Sequence, residues 1–324
     1  MESFVFISGE KEISFNLALE KYLIEELPPS SRVLYLWVNS PSLVIGRYQN
    51  PWQECRVDKL EKDGVVLQRR PSGGGAVYQD EGNICFTIIS PEEEAESSKS
   101  FAMVTDALRE LGIRAEKSGR NDILVEGRKV SGSAFILRKG RFCHHGTMLV
   151  NADLGRLSTY LTPTEHKMES HSIKSVRSRV ANLTSFRNGI TTSSFASSLT
   201  DVFRKENDAD IIHVDKSILS EHPSIRESLS LFRSREWNYG RTPRFTNRIA
   251  VHSPDGEITY YLDVAEGIIK SAAVTSDALD TDGIEALCHI LEGVQYSAAA
   301  VGSLDGGSPF VRRSLTILSE HIEK

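Results

Sequence analysis

Three consecutive glycines between two β-prone segments most constrain the fold of this 324-residue chain. Gly73, Gly74 and Gly75 follow Arg69 and Arg70, and apolar residues flank the run on both sides. Glycine has no Cβ, so the backbone here can turn sharply and come close to another group. Exposed amides in such a turn can hold an anion, and arginine can neutralise it. The run predicts an anion-binding turn between two strands. A hairpin loop with a solvated basic flank is the alternative.

The pattern excludes two common phosphate-binding loops. No Gly-Lys-Ser/Thr follows the glycines, as a P-loop requires. A dinucleotide fingerprint needs a helix directly after the glycines, and here another strand pattern follows.

The net charge of −6 gives no overall attraction to nucleic acid or to an anionic membrane. Nucleotide binding must therefore depend on a local basic site.

The four cysteines, Cys55, Cys85, Cys143 and Cys288, are scattered and form no CxxC pair. Neither a disulfide framework nor a zinc ribbon is implied, which is typical of a reducing compartment. We find no apolar run of membrane-spanning length and no targeting segment at the N-terminus. These features predict a cytoplasmic protein, or a mitochondrial one if the source is eukaryotic.

Hydrophobic spacing divides the chain into helix and strand segments. A helix is predicted over residues 14–27, with Ser14 as its N-cap. Another helix is predicted over 52–63. A turn-prone basic stretch near 240–250 marks a boundary, after which strand and helix patterns restart. We therefore predict two domains, residues 1–244 and residues 248–324, the second a small α+β domain.

A second informative run extends from Ser118 to Ala134. Asn121 and Asp122 precede a strand, and Gly127 can turn a hairpin back to Lys129. Small residues at 131–134 would let a ligand lie against the return strand, and a lysine there can act as a point charge between anionic groups. An exposed hairpin lysine is the alternative.

A third run, Cys143-His144-His145, suggests a metal site at first sight. Adjacent strand residues point to opposite faces, so these three side chains do not easily bind one ion. A position of one of the two histidines in a ligand pocket is more plausible than a metal site, and a histidine pair in the core or at the surface is the alternative. The chain has no convincing Ser-His-Asp, HExxH or paired-carboxylate pattern, which favours chemistry by positioning and charge stabilisation without a protein nucleophile.

Together these runs resemble the lipoate–protein ligase A family over nearly the whole chain. The matching motifs are Ser14-Phe15-Asn16-Leu17-Ala18, Val44-Ile45-Gly46-Arg47 with Gln49-Asn50-Pro51-Trp52, Arg69-Arg70 with Ser72-Gly73-Gly74-Gly75, Asp80 with Gly82-Asn83, Gly119-Arg120-Asn121-Asp122, Arg128-Lys129-Val130-Ser131-Gly132-Ser133-Ala134, His144-His145-Gly146-Thr147 and Glu236-Trp237-Asn238-Tyr239-Gly240. Their order and spacing make the resemblance specific.

The resemblance implies an α+β fold: a biotin/lipoyl protein ligase-like catalytic domain with mixed sheets flanked by helices, and a small α+β C-terminal domain. It implies that ATP and lipoate form lipoyl-AMP, and that the lipoyl group then passes to a lysine. The implied acceptors are apo lipoyl domains of 2-oxoacid dehydrogenase E2 subunits and the glycine-cleavage H protein. ATP, Mg²⁺ and lipoate would bind, with no tightly bound prosthetic group and no nucleic-acid or membrane partner.

The resemblance also assigns residues. Lys129 is the implied catalytic residue, bridging the lipoate carboxylate and the α-phosphate, and Asp122 is the implied Mg²⁺ ligand. The implied ATP-binding residues are Arg70, Gly75, Ala76, Val77, Tyr78, Asn121, Asp122 and Lys129. The implied lipoate-binding residues are Trp37, Ser72, Asn83, Lys129, Ala134 and His145.

The chain departs from the family pattern in two places, and alternative functions remain open. Gln79 stands where many members have His, and the hairpin between Asn121 and Lys129 is shorter than in some members. A transferase that uses preformed lipoyl-AMP, or an octanoyltransferase, is the alternative function. The segment Leu161-Thr162-Pro163-Thr164 lacks the cysteine of acyl-cysteine chemistry. Lys129 argues against a non-enzymatic binding module, and the residues flanking the glycines argue against biotin ligation.

Overall fold

The computed structural model describes residues 2–119, 121–161, 180–240, 246–265 and 267–322, and only the backbone of Trp52 and Gln53. Residues 162–164, named above for their lack of a cysteine, lie outside these ranges. No helix within the described ranges is both long and apolar enough to cross a membrane.

The strands are β1 (Ser3–Ile7), β2 (Arg32–Val38), β3 (Ser42–Ile45), β4 (Val66–Arg69), β5 (Val77–Gln79), β6 (Asn83–Pro91), β7 (Glu116–Ser118), β8 (Asp122–Val125), β9 (Arg128–Arg138), β10 (Arg141–Leu149), β11 (Asp210–His213), β12 (Asn247–Ser253), β13 (Gly256–Ala265) and β14 (Ile268–Ser276). The helices are α1 (Ile13–Glu25), α2 (Pro51–Glu54), α3 (Val57–Lys62), α4 (Ser97–Glu110), α5 (Leu154–Tyr160), α6 (Thr192–Glu206), α7 (Lys216–Leu219), α8 (Pro223–Arg233), α9 (Arg235–Tyr239), α10 (Thr281–Leu291), α11 (Ala298–Gly302) and α12 (Pro309–Ile322).

The chain folds into two compact units, each made of several segments. The first unit comprises Met1–Val44, Cys55–Gln68 and Val77–Ser234, and the second comprises Ile45–Glu54, Arg69–Ala76 and Arg235–Lys324. The domain limits predicted from the sequence, 1–244 and 248–324, stay a prediction.

The first unit is built on a mixed eight-stranded sheet with the order β11-β1-β2-β6-β10-β9-β8-β7. Strand β1 runs parallel to both β11 and β2, and the pairs from β2 to β7 are antiparallel. Helices α4 and α6 cover one face, where Leu34, Phe86 and Met148 pack against Val104 and Leu199. The predicted α+β fold with mixed sheets flanked by helices is confirmed.

Helix α1 buries several polar side chains in place of a purely apolar stripe. Asn16 Oδ1 accepts hydrogen bonds from Ser8 Oγ at 3.0 Å and Tyr35 Oη at 2.9 Å. The predicted N-cap, Ser14, is wrong: the helix begins after Glu12, and Ser14 Oγ donates to Gln68 Oε1 at 2.8 Å. Tertiary hydrogen bonding has replaced the local cap.

The second unit holds an antiparallel sheet, β12-β13-β14, with α10 and α12 against its apolar side chains. The glycine run belongs to this unit, where Gly74 N donates to Ala278 O at 3.2 Å. A Cβ on Gly73 would lie 2.3 Å from that same oxygen, so the close approach requires a glycine.

Arg69 is fully buried and stabilises the backbone around the glycine run. Its guanidinium donates to the carbonyl oxygens of Arg47 at 2.8 Å, Gln49 at 2.7 Å and Trp237 at 2.9 Å. Because a buried carbonyl without a donor is costly, this one side chain fixes several segments of the unit.

The two strands predicted on either side of the glycine run are present as β4 and β5. The single helix predicted over residues 52–63 is wrong. Two short helices are present, and Cys55 and Arg56 separate α2 from α3. Strand β11 lacks a sequence signal because it is a short, largely exposed edge.

We expect Gly73→Ala to destabilise the protein by about 1–3 kcal/mol, because the added methyl group meets a backbone oxygen that cannot move away easily. Urea unfolding measures the change. Gly75→Ala is the matched control, since a Cβ there meets no atom within 4 Å. Equal stability of the two variants would contradict the close approach.

Candidate active site

The register of four neighbouring strands places the predicted lipoate-binding residues of the first unit on one face of the large sheet. Thr87 of β6 lies opposite His145 of β10, which in turn lies opposite Ala134 of β9. Residues two apart on a strand share a face. The resulting surface, here called the polar face, includes Tyr35, Trp37, Asn83, Cys85, Thr87, Gly132, Ala134, Cys143, His145 and Thr147.

Lys129 joins the polar face through an irregularity between β8 and β9. The register shifts so that Leu124 pairs with Lys129 and Ile123 with Ser131. The lysine then extends over Gly132, where an added Cβ would lie 3.1 Å from Lys129 Nζ. Gly132 therefore leaves the space that the ammonium group uses.

Asp122 holds the ammonium group in place. Lys129 Nζ lies 2.6 Å from Asp122 Oδ1, and the two side chains are 37% and 33% exposed. Since both groups remain reachable from solvent, the ion pair contributes little stability and can exchange for another anion or cation.

Backbone contacts fix the start of β9 next to this pair. Ser133 N donates to Asn121 O at 2.8 Å, and Asn121 Nδ2 returns a bond to Ser133 O at 2.6 Å. Ala181 N donates to Lys129 O at 2.9 Å. Asn121 thus anchors the hairpin, and its predicted contact with ATP stays a prediction.

The polar face combines aromatic rings with unpaired polar atoms. Trp37 stacks on Tyr35 with 4.4 Å between ring centroids. Trp37 Nε1 and Asn83 Oδ1 are buried without a hydrogen-bond partner in the described part of the chain. Such atoms cost roughly 1–3 kcal/mol each unless a ligand or water satisfies them. This combination suits a ligand with an apolar body and a few polar atoms.

Glu20 of α1 is a buried residue of the site that the sequence analysis missed. Its Oε1 accepts a hydrogen bond from Thr87 Oγ1 at 2.5 Å and lies 2.8 Å from His145 Nδ1, while the residue is only 1% exposed. A usable signal was present: Glu20 follows Asn16 by four residues, so both polar side chains lie on the same helical face.

Two buried cysteines of the polar face, Cys85 and Cys143, have raised thiol pKa values. Burial, with the charge of Glu20 as the next cause, raises the pKa of the Cys85 and Cys143 thiols well above the usual range. Both cysteines are therefore neutral thiols at physiological pH in the absence of a bound cation.

The two adjacent histidines have different surroundings, as strand alternation requires. His144 faces the apolar core, with Nδ1 at 2.7 Å from Ser100 Oγ and its ring edge-on to Phe86. Burial lowers the pKa of His144 from 6.5 to about 3, so its ring stays neutral. His145 lies on the polar face.

Gln79, the departure noted in the sequence, is part of a buried polar network. Asn39 Nδ2 donates to Gln79 Oε1 at 2.7 Å, and Asn16 Nδ2 donates to Asn39 Oδ1 at 2.9 Å. The glutamine thus accepts a hydrogen bond here and connects β5 to α1.

The remaining predicted residues lie around the glycine run. In the second unit, Arg70 donates to Gly73 O at 2.6 Å, to Gly75 O at 2.9 Å and to Ser72 Oγ at 3.0 Å. Its guanidinium therefore stabilises the conformation of the glycine loop through hydrogen bonds to atoms of the loop. The residues of the second unit predicted to bind substrates are Arg70, Ser72, Gly75 and Ala76.

Val77 and Tyr78 belong to β5 in the first unit. The Tyr78 ring packs against Tyr160 with 5.7 Å between centroids and is almost fully buried, which raises the pKa of Tyr78. The Tyr78 side chain is therefore used in packing, and the contacts of Val77 and Tyr78 with ATP stay predictions.

A lysine held over a glycine, beside a face of aromatic rings and unpaired polar atoms, is chemically suited to an anionic group next to an apolar tail. The model for the "Lipoyl protein ligase A/B catalytic domain" matches residues 12–204, and that for the "Bacterial lipoate protein ligase C-terminus" matches residues 242–304. The chain belongs to the lipoate–protein ligase family.

Individual relatives agree with this assignment. The chain is 41% identical over 289 residues to the "Lipoate-protein ligase A" of Psychrobacter cryohalolentis, covering 87% of this chain and 85% of that protein. A crystal structure of P. falciparum LipL1 in complex with lipoate superposes with a TM-score of 0.87 at 31% identity, over 99% of this chain and 100% of the other. A lipoate-protein ligase A bound with ATP gives a TM-score of 0.61 at 26% identity, over 75% and 100%.

We expect Thr87→Val to destabilise the protein by about 1.5–3 kcal/mol, because the buried Glu20 carboxylate loses a hydroxyl donor without a change in side-chain volume. Urea unfolding again measures the change. Thr87→Ser keeps the hydroxyl and removes only a methyl group, so it should be the milder variant. A reversed order of stabilities would contradict the hydrogen bond to Glu20.

Proposed function

We propose that this protein is an ATP-dependent lipoate–protein ligase that forms lipoyl-AMP and pyrophosphate, and then passes the lipoyl group to a lysine of an apo lipoyl domain. The observation that carries the proposal is the position of Lys129, with its ammonium group 2.6 Å from Asp122 on the polar face. Membership of the family and the relatives named for lipoate ligation support it.

The first half-reaction joins two anions. A carboxylate oxygen of lipoate attacks the α-phosphorus of ATP, a P–O bond forms, and pyrophosphate leaves with the electrons of the broken P–O bond. Lys129 provides a compact positive charge between these reactants and stabilises the charge that develops during transfer.

Substrate binding replaces the ion pair that Lys129 makes with Asp122. The lysine is partly exposed and needs only a side-chain rotation to leave that carboxylate. Gly132 provides the room for this rotation, since it has no side chain beneath the ammonium group.

In the second half-reaction the amine of the acceptor lysine attacks the carbonyl carbon of lipoyl-AMP. An amide bond forms, AMP leaves, and the amine loses a proton to solvent. The proposed acceptors are the lipoyl domains of 2-oxoacid dehydrogenase E2 subunits and the glycine-cleavage H protein, as the family resemblance implies.

The lipoyl group would lie along the polar face. Trp37 offers an aromatic surface, Ala134 leaves room opposite His145, and Asn83 offers an unpaired polar atom. Ser72 and the ATP contacts of Arg70, Gly75, Ala76, Val77, Tyr78 and Asn121 stay predictions from the resemblance.

Asp122 is a suitable residue to hold the Mg²⁺ ion that accompanies ATP. Its carboxylate is about one-third exposed, and Mg²⁺ is usually bound by one or two carboxylates together with substrate phosphates. The ion would neutralise part of the triphosphate charge. The cytoplasmic location stays a prediction from the sequence.

We expect Lys129→Ala to lower the rate of lipoate-dependent pyrophosphate release at least about 100-fold, because the charge in transfer loses its partner. Circular dichroism should show an unchanged fold, since the side chain is partly exposed. Lys99→Ala is the matched control, because that lysine is largely exposed on α4 and pairs with Glu96 at 3.1 Å, far from Lys129 in the sequence and on another element. Near-normal pyrophosphate release by Lys129→Ala would refute the assigned role.

A second experiment separates the ligase from a transferase. Purified protein is mixed with lipoate, Mg²⁺ and an apo lipoyl domain, with and without ATP, and the mass of the domain is measured. We expect lipoylation only when ATP is present. Lipoylation that requires added lipoyl-AMP, and does not occur with ATP and lipoate, would instead identify a transferase.

A further inference from the structure

Three potential metal ligands meet at the buried end of the polar face. Cys143 and His145 lie two residues apart on β10 and therefore share this face, while Glu20 approaches from α1. One ligand atom from each of the three residues lies within 4.8 Å of the others. Cys143 is 0% exposed, His145 7% and Glu20 1%.

This group differs from the Cys143-His144-His145 run that the sequence displays. Because side chains alternate along a strand, His144 lies on the opposite face of the sheet. The third member of the group is Glu20, which is distant in the sequence. A thiolate, an imidazole and a carboxylate are the donor types that bind Zn²⁺ in proteins.

The spacing of the group fits a cation after small side-chain movements. Tetrahedral coordination with ordinary zinc bond lengths separates ligand atoms by about 3.3–3.6 Å. Since no two of the ligand atoms are more than 4.8 Å apart, no pair needs to close by more than about 1.5 Å. The 2.8 Å contact between Glu20 Oε1 and His145 Nδ1 would open by about half an ångström if that nitrogen binds the ion. Changes of this size are on the scale of small side-chain rotations.

A hydrogen bond from Thr87 supports one of the three ligands. Thr87 Oγ1 donates to Glu20 Oε1 at 2.5 Å and would orient this carboxylate in the metal-bound state. Three protein ligands leave a fourth position for water or an external ligand, as in open zinc sites.

We propose that Glu20, Cys143 and His145 form a binding site for a thiophilic divalent cation such as Zn²⁺ or Cd²⁺. On binding, a metal–sulfur bond forms while the Cys143 thiol releases its proton to solvent. The coordinating nitrogen of His145 carries no proton in the complex, and Glu20 binds through a carboxylate oxygen. The site does not depend on the proposed ligase function. A cation bound there would compete with any ligand that contacts His145.

The test uses Cd²⁺ alone as the probe, without lipoate or ATP. The purified protein is first treated with a chelator and then titrated with Cd²⁺ while the sulfur-to-metal charge-transfer absorption is recorded in the ultraviolet. We expect one equivalent to bind, with both the absorption and the binding lost in Cys143→Ser. Binding should weaken at least about 100-fold, because loss of a ligand should cost no less than loss of a residue that merely orients one.

Cys85→Ser is the matched control, because Cys85 is equally buried on the same face but lies outside the group of three. This variant should keep both the absorption and the affinity. An absorption that persists in Cys143→Ser, or the absence of stoichiometric binding to the unchanged protein, would overturn the proposal.

A spectroscopic measurement covers the case in which Cys143→Ser does not fold. X-ray absorption of the unchanged protein loaded with one equivalent of Zn²⁺ should show one sulfur neighbour and otherwise nitrogen or oxygen neighbours. A coordination sphere without sulfur, or with two or more sulfur atoms, would equally overturn the assignment. Neither measurement involves ligase activity, so failure here leaves the proposed function untouched.

Discussion

The register between β6, β10 and β9 is the constraint on which the candidate site depends. Side chains alternate between the two faces of a sheet, so a shift of one residue would exchange the polar face for the apolar core. His145 and Thr87 would then point into the core, and His144 and Phe86 would lie on the other side of the sheet. Packing of Phe86 and Met148 against α4 and α6 specifies the register, because burial of these residues tolerates no slip. Packing on the apolar side of the sheet therefore determines which side chains lie on the polar face.

Glu20 shows how the fold supports a charge away from water. A buried carboxylate is costly unless donors satisfy it, and here Thr87 and His145 come from strands that are paired with one another. Burial, with the charge of this carboxylate as the next cause, raises the pKa of the neighbouring Cys85 and Cys143 thiols. Glu20 also lies beside Cys143 and His145, which are two residues apart on β10. One residue of α1 therefore adds a buried carboxylate to the polar face and completes the proposed group of three cation ligands.

The arginines before the glycine run illustrate a limit of pattern-based inference. Next to three glycines they suggest a cradle for an external anion, and the resemblance to the family strengthens this interpretation for Arg70. In the structure both guanidinium groups donate to carbonyl oxygens of the protein itself, Arg69 to two other segments of its unit and Arg70 to the glycine loop. Gly73 is needed for a close approach to Ala278. The run thus has a structural role in addition to any role in binding ATP.

The sequence alone determined the α+β class and the family, because these depend on local periodicity and on motifs in a fixed order. The catalytic role of Lys129 stays a prediction. The tertiary structure alone decided three other matters. It used Ser14 for a bond to Gln68, although the residue type favours a cap. It buried Glu20 beside Thr87 and His145. It placed Asp122 against Lys129. Each of these contacts joins residues from different elements, and their distance depends on strand register and helix packing, which no local pattern contains.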